Sequence, residues 1–125
     1  MRDKRESGQG IVELAIVLPI LILLVLGALD LGRAFSTRIA LSNAAREAVF
    51  VASLTPSVSQ AGLQAIVDSE LGGTVDGLIT VTRIGPLTAG SPVTIALENA
   101  FTPTLTGLLG APTLPVRASA TMVVQ

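Results

Sequence analysis

A chain of 125 residues with a formal net charge of −1 is one domain long, and that charge gives no footing for nucleic acid. Half of its residues are hydrophobic, 14% are charged and 2% aromatic, and it contains no Cys, His, Trp or Tyr. These absences remove a disulfide framework, an imidazole base and the commonest metal ligands, and the scattered carboxylates form no pair. The composition therefore speaks against an enzyme and calls for no cofactor.

Residues 1–10, MRDKRESGQG, form a basic, leader-like segment with Arg2, Lys4 and Arg5 against Asp3 and Glu6. Basic residues directly before an apolar span keep that end in the cytoplasm. The span itself is Ile11–Leu29, nineteen residues interrupted only by Glu13, Pro19 and Gly27. As a helix it is about 28 Å long, the hydrocarbon thickness of a bilayer. The expectation is a single-pass helix that delivers everything beyond Asp30 to the far side. A cleavable secretory signal is the competing reading; the span is too long for one, and no clean small-x-small site follows it.

The helical pattern continues past the span, with Leu31, Phe35 and Ile39, then Leu41, Ala45 and Val49, at helical spacing. One continuous helix is expected from about Gln9 to Leu54, giving an 11–54 unit that is first hydrophobic and then amphipathic, stopped by Pro56. Ala28, Gly32, Ser36, Ala40, Ala44, Ala48 and Ala52 put a small residue at every fourth position along it. Such rows let helices approach closely in lipid, which marks these residues as candidates for helix–helix packing. Alanine is also simply a good helix former, and for Ala44 to Ala52 that explanation competes equally. Pro19 cannot donate to Ala15, so a kink is expected there, of a kind that membrane helices tolerate. Asp30 and Arg33, at i and i+3, read as an exposed pair of little energetic weight at the far interface.

Residues 55–125 make a small extracytoplasmic head. SVSQAGLQAIVDSEL (57–71) is a short amphipathic helix with Leu63, Ile66, Val67 and Leu71 on one stripe, capped by Ser57 or Ser59 and ended by Gly72-Gly73. LITVTRI, PVTIALENAF and LPVRASATMVV read as three antiparallel strands, the first two joined through Gly85-Pro86 and Gly90-Ser91-Pro92. Residues 102–115 read as a Pro-, Gly- and Thr-rich loop that exposes Leu105, Leu108 and Leu109 unless something packs on them. The fold class is thus α+β: a long N-terminal transmembrane or assembly helix, then a head with one short helix and about three strands. A head this small has a marginal core of its own and needs its helix, copies of itself or a partner.

GQGIVELAIVLPILILLVLGALDLGRAF followed by ALSNAAREAVFVA resembles the TadE-like family, pilin-like proteins of bacterial tight-adherence (Flp) pili and related secretion systems. The elements are a glycine shortly before V-E, Leu-Pro inside the span, D-L-G-R-A just after it and N-A-A-R-E further along, covering about residues 8–52. Leu14 stands where the family often has an aromatic. The resemblance implies a pilin-like plan, in which a long helix is stored in the inner membrane and then packs into a filament outside the cell. The partners it implies are copies of the chain or other pilins, and a prepilin peptidase. That enzyme cuts after glycine and leaves a glutamate fifth in the mature chain. A cut between Gly8 and Gln9 places Glu13 fifth, whereas a cut after Gly10 places it third. Glu13 is then the candidate for axial register, neutralising the new α-amino group of the same or the next subunit. With the leader retained, Lys4 or Arg5 of a neighbour is the available cation. The bland reading is that Glu13, near the cytoplasmic edge, simply reaches the headgroups, and that Gly8 and Gly10 form a flexible juncture. Two further functions stay open: a membrane-anchored accessory protein whose head is a binding module, and a secreted module that loses its first thirty-odd residues.

Overall fold

The computed structural model describes residues 6–108, 110 and 112–125. Most of the leader-like segment, including the cations Lys4 and Arg5, lies outside the described residues, as does Leu109.

Helix α1 runs Glu6–Leu54 as one element with Pro19 inside it, about 73 Å long at 1.5 Å per residue. It starts five residues ahead of Ile11, because extending an existing helix by a few residues costs little once it is nucleated. Two short links follow. Helix α2, Gln60–Leu71, is capped by Ser59, whose Oγ accepts the Gly62 N–H at 3.1 Å. It ends where Gly72 takes the left-handed conformation at φ +50° and donates its N–H to Asp68 O.

The sheet has strands β1 (Ile79–Ile84), β2 (Pro92–Phe101) and β3 (Leu114–Val123), antiparallel in the order β1-β2-β3. Register is fixed along both ladders, for example Val81↔Leu97 and Leu97↔Ala118. Gly85 turns the chain out of β1 at φ +102°, where a Cβ would stand 2.5 Å from Pro92 O, so only glycine fits. Alternation along β2 sends Val93, Ile95 and Leu97 into the core and Thr94, Ala96 and Glu98 to the other face. On that outer face Thr94 Oγ1 meets Thr121 Oγ1 at 2.8 Å and Arg117 bridges Glu98 at 2.9 Å, both pairs directly opposite in register.

The core is closed by two helices lying on one face of the sheet. Leu41, Ala44, Ala45, Ala48, Val49 and Ala52 of α1 meet Leu63, Val67 and Leu71 of α2 and the inward residues of β2. The methyl groups of the alanines let α1 lie close on the sheet, so six of the fifteen buried residues in this core come from the long helix. The opposite edge is tied by Gln60 and Gln64, one turn apart on α2, which donate to Val81 O at 2.7 Å and Ile79 O at 3.5 Å on β1.

One element departs from the sequence reading. The stretch expected to be a loop over 102–115 contains a five-residue helix α3, Thr104–Leu108. Its first turn is capped by a side chain 74 residues away, a signal that local composition cannot carry.

Candidate assembly helix and its junction with the head

Helix α1 divides at Asp30. Every residue from Gly8 to Val25 is exposed, and within the span thirteen large aliphatic side chains from Ile11 to Leu29 show between 46% and 69% of their surface. Beyond Asp30 the inward side of the same helix is buried, with Leu41, Ala44, Ala45, Ala48 and Ala52 at 0% exposure. The head therefore closes its own core and leaves the first half of the helix bare.

The row of small residues divides at the same place. Ala44, Ala48 and Ala52 lie in the head's own core, where intramolecular packing accounts for their size. Ala40 is half-buried at the edge of that core, whereas Ala28, Gly32 and Ser36 are exposed. Among the described residues nothing lies within 4 Å of a Cβ built on Gly27 or Gly32. A helical glycine costs about 1 kcal/mol relative to alanine, and no internal contact requires either one.

Gly8 and Gln9 lie in the first turns of α1, and Gly8 likewise has open space about it. Gln9 Nε2 donates to Glu13 Oε1 at 3.2 Å along the exposed helix surface. Among the described residues no cation faces Glu13. Pro19 is accommodated within a continuous helix.

The junction at Asp30 is richer than the sequence suggests, and here the expected exposed pair of little weight is corrected. Asp30 is 7% exposed and its two carboxylate oxygens accept the Thr104 N–H and the Leu105 N–H, each at 2.8 Å. It thus acts as the N-cap of α3 from across the fold. The Leu105 N–H, more than the Thr104 groups and Arg33, holds its carboxyl below the usual aspartate pKa, against the opposing effect of desolvation. Arg33 stands beside it and donates to Asp30 Oδ1 at 3.4 Å and to Thr104 Oγ1 at 2.9 Å. Its guanidinium also lies 5.3 Å from the Phe101 ring centroid and 3.9 Å from Asp76 Oδ2. Asp76 is held in turn by buried Asn99, whose Nδ2 donates to Asp76 O at 2.9 Å.

Two residues of the D-L-G-R-A motif thereby fasten α1 to α3, to the end of β2 and to the turn ahead of β1. Sequence reasoning found the pair and missed its partners, since i, i+3 spacing says nothing of Thr104 or Phe101. Among the described residues no group of three or more His, Cys, Asp or Glu stands together to hold a metal. The chemistry on view is that of packing, capping and ion pairing.

No curated protein and no solved structure matches the chain. The family described as TadE-like protein does, over residues 8–49, which takes in the bare half of α1, the Asp30–Arg33 junction and the N-A-A-R-E turn. Along that helix the chain is similar to the TadE-like family, structural proteins associated with the Tad pilus that begin with an apolar helix.

Proposed function

We propose that this chain is a pilin-like structural subunit, held in the bacterial inner membrane by α1 with its N-terminus in the cytoplasm and then assembled through that helix into a surface filament. One observation carries the reading: the folded head leaves thirteen large aliphatic residues of Ile11–Leu29 uncovered. Full burial is worth about 1.5–3 kcal/mol for each such side chain. Leaving about half of that surface in water on all thirteen forgoes as much as the entire stability of a small domain, about 5–15 kcal/mol. Lipid first and neighbouring helices later are the two environments that recover it. The family likeness over the same helix supports the pilus setting.

In the membrane Glu13 lies about 3 Å inside the cytoplasmic edge, within reach of the headgroups. Once helices replace lipid, its carboxylate needs a cation, and the α-amino group freed at Gln9 by a cut after Gly8, about 6 Å along the axis, supplies one within the same subunit or in a neighbour offset by that step. Ala28, Gly32 and Ser36 offer the close-approach surface for neighbouring copies, since they are the part of the small-residue row that the head does not use.

The test is Glu13→Gln in cells producing the filament. Membrane insertion of the variant is expected to match that of the unaltered chain, while its share in sheared surface filaments falls severalfold. Equal incorporation of the two chains removes Glu13 from assembly. A chain confined to the inner membrane while normal filaments form overturns the subunit role in favour of an anchored accessory protein.

A further inference from the structure

The sheet register gathers one end of each strand at the foot of the head. Leu78, just before β1, lies at that end with Ala100–Phe101 at the close of β2 and Leu114–Pro115 at the opening of β3. Leu78 is 80% exposed and Leu114 52% exposed, and Leu105 of α3 is half-buried. From Thr102 to Val116 the chain has no charged residue, and the charge at this end is Asp76, exposed ahead of Leu78 and facing Arg33. Exposed leucines beside the exit of an apolar span are costly in water and favour a cover.

Asp30 says what that cover is. It is the first residue past the apolar span, so it stands about 1.5 Å beyond the hydrocarbon edge if Leu29 marks that edge. Its carboxylate oxygens hold the first two backbone N–H groups of α3 at 2.8 Å. Helix α3 and the foot of the sheet are thereby fixed at the level of Asp30. The interfacial layer of a bilayer extends about 5–7 Å on each side of the hydrocarbon. A surface pinned within a few ångströms of that edge lies inside this layer for any modest tilt of α1.

We propose that the foot of the head is a lipid-contacting surface, with Leu78, Leu105 and Leu114 resting in the outer interfacial layer around the exit of α1. The bilayer is then bound twice, by the span and by a collar of exposed leucines joined to it through Asp30. Arg33, whose guanidinium already engages Asp30, Thr104, Phe101 and Asp76, holds the collar together from the aqueous side. This inference rests on the reading of α1 as a membrane-inserted helix.

The absence of Trp and Tyr makes the test direct, because any tryptophan introduced is the sole strong emitter. Full-length L78W, L114W, I84W and L21W are each reconstituted in phosphatidylcholine vesicles, with and without lipids spin-labelled at the headgroup or deep in the acyl chain. Ile84 is the built-in control, 57% exposed at the opposite end of β1. L78W and L114W are expected to be quenched by headgroup-labelled lipid at least twofold more than I84W, and L21W chiefly by the deep label. Quenching of L21W together with L78W and L114W no more quenched than I84W overturns the collar while leaving the membrane helix standing. An unquenched L21W overturns the membrane reading and the collar with it.

Discussion

The two halves of α1 have comparable length, but the first is apolar almost throughout while the second interleaves apolar with polar residues, and they are covered in opposite ways. From Leu41 to Ala52 the inward residues are Ala, Leu and Val on one side of the helix, and the sheet and α2 bury them. From Ile11 to Leu29 the helix is apolar nearly all round, and among the described residues nothing buries most of it. A helix with one apolar side finds its partner within its own domain, whereas one apolar on every side has to find its partners outside. The boundary is Asp30, a charged residue that the head itself engages.

That contrast breaks most visibly on truncation. Ile95→Ala, at a site with 0% exposure, is expected to lower the stability of the head by about 2–5 kcal/mol in a denaturant titration in detergent. Leu21→Ala, 53% exposed, is expected to leave it unchanged within about 0.5 kcal/mol. Similar losses at the two sites would mean that the bare half packs on the head after all.

Enlargement sharpens the same point within the small-residue row. Ala48→Leu forces a larger side chain between α1 and the sheet and is expected to cost about 1–3 kcal/mol. Ala28→Leu meets solvent or lipid and is expected to cost the head nothing, read by the same titration. Gly32→Ala adds a methyl to open space on a helix and is expected to stabilise α1 by up to about 1 kcal/mol in the detergent-solubilised chain. The same variant lowers recovery in filaments if neighbours approach over that glycine, so a gain in both assays would strike Gly32 from the packing surface.

The smallest effect concerns the boundary. Because the folded state holds the Asp30 carboxyl below its ordinary value, the unfolded chain takes up that proton more readily. The contribution of Asp30 to stability is therefore complete above the usual aspartate range, near pH 4, and is lost as pH falls through the lower folded value. Amide exchange at Thr104 and Leu105, relative to Val93 as an internal reference, is expected to rise over that acid window. In Asp30→Asn, where no carboxylate remains to be protonated, the ratio is expected to be raised already at neutral pH and flat with acidity. A ratio in the unaltered chain that does not move with pH would remove Asp30 as the cap of α3.

Much of this architecture was legible from spacing alone. The long helix, the Ser59 cap with the Gly72 stop, the three strands and their antiparallel order follow from local periodicity and turn residues, which act within a few positions. What stayed hidden has a common cause. Helix α3 depends on a carboxylate from α1, and the weight of Asp30 and Arg33 depends on Thr104, Phe101 and Asp76, all remote in sequence. The division of the alanine row was only hinted at by the change from an all-apolar to an amphipathic stretch, since what lies opposite Ala44, Ala48 and Ala52 is set by residues remote in sequence. The family likeness covers the helix and its junction, and the shape of the head came from the structure.

The central claim is that Ile11–Leu29 is covered by lipid in the cell while the head stands outside. Because the chain has no cysteine, single-cysteine chains I16C, L24C and S57C report this directly through labelling of intact cells, outer membrane permeabilised, with a membrane-impermeant maleimide. The account predicts rapid labelling at Ser57 and none at Ile16 or Leu24 until the membrane is dissolved. Labelling at Ile16 and Leu24 as fast as at Ser57 would contradict it.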